Sequence, residues 1–195
     1  FTVLGTGILW FGWFGFNAGS ALAANGLAAQ ALVNTHVAAA AAMLGWLLVE
    51  KLKAGHATTL GAASGAVAGL VAITPCAGFV STSSALLIGL AAGAICYLSL
   101  ALKNRFGFDD SLDVIAVHLI GGLLGSLLLG LFSDTTINSL GADGLFHGGG
   151  SSLLGKQLLA SGAVFAFSFG VTYIVAMIIN KTMGLRVTHD EEMVG

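Results

Sequence analysis

A series of six long apolar segments constrains the fold of this chain more than any other feature. The segments lie at about residues 1–22, 28–50, 59–75, 83–103, 112–132 and 157–182. About 20 apolar residues in a helix cross the hydrocarbon core of a bilayer, which is roughly 30 Å thick. Only 8% of the residues are charged, against roughly 25% in soluble domains. The sequence therefore predicts an all-α polytopic membrane protein with six spans, followed by the start of a tail at residues 183–195.

Basic residues predict the orientation of these spans. The connections after the second, fourth and sixth segments hold most of the seven Lys and Arg residues. These are Lys51, Lys53, Lys103, Arg105, Lys181 and Arg186. Because basic connections stay on the cytoplasmic side of a membrane, we expect a cytoplasmic C-terminus.

Composition and motifs also narrow the class of protein. The net charge of −2 argues against a nucleic-acid partner. The chain carries no HExxH or GxSxG motif and no metal-like cysteine spacing, so we expect neither an enzyme nor a metal or cofactor site. It opens on Phe1 inside an apolar segment and stops at Gly195 just after an acidic stretch begins. We therefore expect that it is part of a longer protein.

Aromatic residues dominate the end of the first segment. In a helix, Trp13, Phe16, Asn17 and Ser20 are spaced i, i+3, i+4 and i+7, so they share one face. Ring faces and a hydroxyl group on one face suit a small cation that donates hydrogen bonds. The alternative is an ordinary helix end with aromatic residues at the membrane interface.

An intramembrane histidine marks the fifth segment. His118 lies at membrane depth, where ionisable groups are costly and usually face a bundle interior or a pathway. We expect it on the same stripe as Gly121, Gly122 and Gly125. It is either a pore-lining imidazole or a neutral histidine hydrogen-bonded between helices. Asp113 is either a helix cap or a supporting group of the pore.

Small and acidic residues elsewhere have structural interpretations. Residues four apart form small-residue ridges that let helices approach closely. The ridges are Gly61–Gly65–Gly69, Gly89–Gly93, Gly121–Gly125 and Gly162–Ala166–Gly170. We expect Asp109 and Asp110 to be solvated loop charges, and Glu50 to have no special role at its helix end.

Five motifs, taken together and in order, resemble the ammonium transporter family (Amt/Mep/Rh). They are GWFGFNAGS at 12–20, VNTHVAAAAAMLGW at 33–46, GAASGAVAGLVAITP at 61–75, DVIAVH at 113–118 and MGLRV at 183–187. The resemblance implies part of an eleven-helix inverted-repeat fold, with this chain holding helices six to eleven, in a homotrimer of the cell membrane. It places the family's other pore histidine and other gate phenylalanine outside this sequence.

The same resemblance implies a function and a set of site residues. Ammonium would be deprotonated and pass a narrow hydrophobic pore with a histidine proton relay. Phe16 resembles a gate ring, Ser20 the hydroxyl of the outer site, Trp13 an aromatic of the pore wall and His118 a pore histidine. Ammonium or ammonia is then the substrate, and a PII-type regulatory protein is a possible partner at the cytoplasmic face.

Three other classes of function remain open from the residues alone. A cation- or proton-coupled carrier of another small solute has similar small-residue packing and an intramembrane histidine. An ammonium sensor can use the same fold. A membrane enzyme with His118 as base would need a second convergent catalytic group at membrane depth, which the motifs do not supply.

Overall fold

The computed structural model describes residues 1–107 and 109–194, without the side chain of Asn104. Its elements are α1 (Thr2–Gly19), α2 (Gly26–Ala54), α3 (Thr59–Ile73), α4 (Thr82–Phe106), a π-helical turn (Ile115–Ile120), α5 (Gly121–Phe132), a 3₁₀ turn (Leu145–His147), α6 (Ser152–Thr182) and α7 (His189–Val194). The described residues contain no strand, as an all-α fold requires. Gly195, the last residue of the predicted tail, lies outside the described residues.

Four helical stretches are long and apolar enough to cross a membrane. They are Gly26–Ala54, Thr82–Lys103, Ile115–Phe132 and Ser152–Thr182. Helices α1 and α3 form within the first and third apolar segments but do not reach the same length and hydropathy, and their crossing of the membrane stays a prediction. The chain is thus an all-helical, multi-pass membrane protein.

The unit Phe1–Leu158 is built around α2, which packs against α3 and α4. Glycines bring the helix backbones into contact. A Cβ atom added at Gly93 would lie 2.0 Å from the carbonyl oxygen of Ala42, and one at Gly89 would lie 2.3 Å from that of Ala38. The core between these helices consists largely of fully buried alanines. The predicted ridges of α3 and α4 therefore pack as small-residue ridges do.

The glycine ridges of α5 and α6 differ in how closely neighbouring atoms approach them. A Cβ atom added at Gly125 of α5 would lie 2.1 Å from the carbonyl oxygen of Ala72 in α3, so this ridge is also closely packed. At Gly162 and Gly170 of α6, an added Cβ atom would meet nothing within 4 Å. The close packing predicted for the ridge of the sixth segment therefore stays a prediction.

Side-chain caps fix the ends of several helices. Asn25 and Thr58 accept hydrogen bonds from the backbone N–H groups of Ala28 and Gly61 at the starts of α2 and α3. Glu50 extends the second cap, because its carboxylate accepts from both the N–H and the hydroxyl of Thr58, over 3.0 and 2.8 Å. The expectation that Glu50 has no special role is wrong: it is buried and joins the end of α2 to the start of α3.

The second unit, Leu159–Gly195, contains most of α6 and the short α7. Phe165, Phe169 and Tyr173 form an exposed ladder of parallel rings along α6, with centroids 6.3 and 6.4 Å apart. In the tail, Arg186 and Glu192 form an exposed ion pair at 2.7 Å.

Candidate functional site

An open cleft of about 380 Å³ lies between α1, α3, the π-helical turn and α5. It is lined by Trp13, Val71, Thr74, Pro75, His118, Gly122 and Ser126. The lining is mainly apolar, with an indole, an imidazole and two hydroxyl groups as its polar features. Such apolar concavities with few polar groups are typical of small-ligand sites. The cleft brings together Trp13 and His118, two predicted site residues that lie 105 positions apart in the sequence.

Trp13 is held in the cleft wall by a hydrogen bond that crosses between helices. Its Nε1–H donates to the hydroxyl oxygen of Thr74 over 2.8 Å. The same hydroxyl donates to the carbonyl oxygen of Leu70 over 2.7 Å, which orients its lone pairs towards the indole. The end of α3 therefore fixes the orientation of the Trp13 ring.

The other predicted residues of α1 divide between the surface and the interior. Phe16 is 60% exposed and meets Trp13 edge to face, with ring centroids 5.9 Å apart. Asn17 is buried, and its amide donates to the hydroxyl oxygen of Thr35 over 2.9 Å. Asn17 thus joins α1 to α2 and supports the aromatic face without being part of its surface.

Ser20 ends α1 on the same side as Phe16. Its hydroxyl is exposed and donates to the carbonyl oxygen of Phe16 over 2.7 Å. A serine oxygen that donates its proton still has lone pairs to accept hydrogen bonds. Ser20 can therefore accept from a cation that donates hydrogen bonds, beside the exposed ring of Phe16.

His118 lies on the π-helical turn, and this changes the face that it occupies. The extra residue in a π turn breaks the i, i+3, i+4 pattern of an α-helix. Gly121 and Gly125 are buried against neighbouring helices, whereas His118 is exposed on the cleft wall with Gly122 and Ser126. The expectation that His118 shares the closely packed stripe of Gly121 and Gly125 is therefore wrong. Within the described residues, its ring has no hydrogen-bond partner.

Asp113 does not cap the helix with its side chain. Its carboxylate forms an ion pair with Lys103 at the end of α4. Asp110 is the cap, because its two oxygens accept from the backbone N–H groups of Val114 and Ile115 over 2.8 and 2.9 Å. The expectations of a capping Asp113 and a solvated Asp110 are therefore wrong, and this turn is more highly organised than the sequence indicates.

Two polar residues of the cleft and one aromatic cluster escaped sequence analysis. Thr74 and Ser126 carry the hydroxyl groups of the cleft, and only their positions on other helices place them there. His36 contacts two aromatic residues of α1, with ring centroids 5.4 Å from Trp10 and 5.8 Å from Phe14. The described residues contain no group of three His, Cys, Asp or Glu side chains that could hold a metal ion.

Comparison with known proteins gives consistent results. A family model described as the Ammonium Transporter Family matches residues 1–195. An ammonium transporter of Mycobacterium tuberculosis is 52% identical over 200 residues, covering 100% of this chain and 42% of that protein. The crystal structure of Saccharomyces cerevisiae Mep2 matches with a TM-score of 0.89 and 38% identity, over 96% of this chain and 43% of that one.

A third relative is described as a sensor. A structure described as a sensor Amt protein matches with a TM-score of 0.88 and 34% identity, over 99% of this chain and 47% of that one. The chain thus spans less than half the length of these relatives. The relatives named as transporters agree with the prediction that the chain is not an enzyme.

Proposed function

The chain belongs to the ammonium transporter family, and on that premise we propose that it forms part of a pore that carries ammonium or ammonia across the cell membrane. The cleft between α1, α3 and α5 is one wall of that pore. The observation that carries the proposal is the juxtaposition of the Trp13 indole and the His118 imidazole on one apolar cleft of about 380 Å³.

The end of α1 provides the outer recruitment site. Ammonium loses hydrogen bonds to water as it enters a narrow site, and protein groups must replace them. The lone pairs of Ser20 accept a hydrogen bond, and the faces of Trp13 and Phe16 attract the positive charge by cation–π interaction. The exposure of Phe16 beside Trp13 supports its assignment as a gate ring.

Beyond the gate, the apolar wall selects against a bare ion. Moving a charged group into such surroundings without compensating partners is strongly unfavourable. Ammonium can avoid most of this penalty by losing a proton, and the neutral ammonia then hydrogen-bonds to the imidazole of His118. Potassium has a similar charge and size but no proton to lose, so it faces the whole desolvation penalty.

We further propose a full assembly like the one that the family resemblance implies. Residues 1–182 would supply helices six to eleven of an eleven-helix subunit, the subunits would form a homotrimer, and a PII-type protein would bind at the cytoplasmic face. The basic residues support a cytoplasmic C-terminus. Cysteine labelling in intact cells tests this orientation: residue 103 should react only from the inside and residue 141 only from the outside. Labelling of both from one side would overturn it.

A current measurement tests the role of His118. In vesicles reconstituted with a full-length protein that contains this chain, His118→Ala should lower the ammonium-evoked current roughly 100-fold or more, or admit potassium, because a proton-transfer group is lost. His118→Glu should retain part of the current. His36→Ala is the matched control, since His36 contacts Trp10 and Phe14 outside the cleft lining. If His118→Ala leaves both the ammonium current and the potassium current at their wild-type values, the mechanism is refuted.

A second candidate function is ammonium sensing, which the similarity to the sensor Amt structure favours. A sensor would bind ammonium at Trp13 and Ser20 without passing it on. Ammonium titration followed by tryptophan fluorescence, combined with the current measurement, separates the two functions. Saturable binding without current would favour the sensor.

A further inference from the structure

The turn before His118 contains an unusual backbone conformation. Asp113 has a φ of 56°, and it is one of two described non-glycine residues with positive φ. L-residues other than Asn and Asp seldom adopt this left-handed conformation because their Cβ atom crowds the backbone. Asp tolerates this conformation better than most residues, and contacts around the residue hold it in place here.

Lys103 supplies these contacts from the end of α4. Its ammonium group forms an ion pair with the Asp113 carboxylate and also donates to the backbone carbonyl oxygen of Asp110 over 3.0 Å. Asp110 in turn caps Val114 and Ile115 with its carboxylate. One lysine therefore ties together both aspartates that frame the turn.

The π-helical turn begins directly after this cluster. The carbonyl oxygen of Asp113 accepts from the N–H of Val117 over 2.9 Å, and His118 is the next residue. Because the π turn decides that His118 faces the cleft and not the packed face of Gly125, any change at its start changes the direction of the imidazole. The cluster is thus linked by a backbone hydrogen bond to Val117, the residue before His118.

We propose that Lys103, Asp110 and Asp113 form a positioning clamp that fixes the start of the π-helical turn and thereby the direction of the His118 imidazole in the cleft. The inference rests on the proposed function, since it gives His118 a role in the pore. The clamp acts through His118 and does not touch the substrate.

Variants distinguish this positioning role from a purely stabilising one. The side chains of Lys103 and Asp113 are 30% and 24% exposed, so their ion pair is half-buried and also contributes to stability. Its contacts hold the left-handed residue that lies just before the π-helical turn with His118. The clamp should therefore lower transport even in variants that keep the melting temperature of the wild type.

Variants at Asp113 and Lys103 separate the effect of the ion pair from the effect of the backbone conformation. Asp113→Gly allows the left-handed conformation but removes the ion pair, and Asp113→Ala removes both. Lys103→Met removes the cation and keeps much of its apolar stem, whereas Lys103→Arg restores the charge. Lys53→Met, a change of an exposed lysine in the last turn of α2, is the control that should leave currents unchanged.

The decisive experiment measures ammonium and potassium currents of the full-length protein in vesicles, with its melting temperature as a check on folding. Lys103→Met should lower the ammonium current roughly tenfold or more, by analogy with the loss of a group that orients a metal-binding histidine, and Lys103→Arg should restore most of it. In a His118→Ala background, Lys103→Met should add no further loss, because the clamp acts through that ring.

The remaining outcomes distinguish a failure of the clamp from a failure of the proposed function. Multiplied losses in the double variant, or a Lys103→Met current equal to wild type, would overturn the clamp while a defective His118→Ala still supports the pore. A His118→Ala variant equal to wild type would refute the proposed function instead. If Lys103→Met does not fold, Asp113→Gly decides, and a wild-type current in that variant would overturn the clamp.

Discussion

The hydrogen bond between Trp13 and Thr74 offers the sharpest test of the cleft geometry. Thr74→Val keeps the shape of the side chain but removes the oxygen that accepts from the indole N–H over 2.8 Å. It also removes the bond from the Thr74 hydroxyl to the carbonyl of Leu70. The indole N–H is then left facing a mainly apolar cleft, and the ring loses its fixed orientation.

The expected magnitude follows from the surroundings of this bond. A net hydrogen bond contributes about 0.5–1.5 kcal/mol, and an unsatisfied buried donor costs about 1–3 kcal/mol. Interhelical polar contacts in membranes average about 0.6 kcal/mol, with a maximum near 1.7. Both side chains are half-buried, so Thr74→Val should cost about 1 kcal/mol. Trp13→Phe should cost more, because it also removes ring surface.

A double-mutant cycle isolates the bond itself. Unfolding free energies of the full-length protein in mixed micelles should show that Thr74→Val combined with Trp13→Phe costs about 0.5–1 kcal/mol less than the sum of the single changes. Thr6→Val is the matched control, because Thr6 bonds only to the backbone of its own exposed helix start. Both cleft variants should also raise the ammonium concentration for half-maximal current. Strict additivity within about 0.3 kcal/mol, with unchanged half-saturation, would refute the reasoning.

Two further predictions address packing and the loop after α5. Gly93→Ala places a Cβ atom 2.0 Å from the carbonyl oxygen of Ala42, so a shift of at least 1.0 Å is needed to reach the 3.0 Å of the tightest real contacts. It should destabilise the protein by about 1–3 kcal/mol, whereas Gly162→Ala, with nothing within 4 Å of its Cβ position, should not. Hydrogen bonds from the hydroxyl and N–H of Thr136 lower the pKa of Asp134, so this carboxylate stabilises the loop above its unfolded pKa of about 3.9, and the benefit is lost as pH falls through the folded pKa. The protection of the loop amides against hydrogen exchange, after correction for the intrinsic exchange rate at each pH, should therefore fall at low pH in wild type but not in Asp134→Asn, and an equal fall in both would contradict this assignment.

The helices were predictable because their signal is local. Apolar length predicted helices in the apolar segments, and small-residue spacing predicted the ridge at Gly89 and Gly93 that brings α4 onto α2; the short α7, in the polar tail, gave no such signal. The π-helical turn at Ile115–Ile120 was not predictable in this way. Apart from His118, its sequence is apolar, so one extra residue per turn leaves no mark on the hydrophobic pattern. The prediction of the helix face on which His118 lies was wrong for that reason.

Sequence analysis could predict only those features of the candidate site that arise within a single helix. Trp13 and Phe16 follow from spacing along α1, and His118 follows from the cost of an ionisable group at membrane depth. Thr74 and Lys103 reach their partners across 61 and 10 residues respectively, through tertiary packing. No periodicity encodes such pairs, which is also why the capping role fell to Asp110 and not to Asp113.

Helix α3 is the common reference for both sides of the cleft. On one side, Thr74 at its end orients Trp13 of α1. On the other, the backbone of Ala72 meets Gly125 of α5, which continues directly from the turn that carries His118. Glu50 caps the start of the same helix and ties it to α2. Because closely packed backbones move as units and not side chain by side chain, a displacement of α3 would move the indole and the imidazole together. The positions of the indole and the imidazole therefore both depend on α3, through the hydrogen bond of Thr74 on one side and the contact of Ala72 with Gly125 on the other.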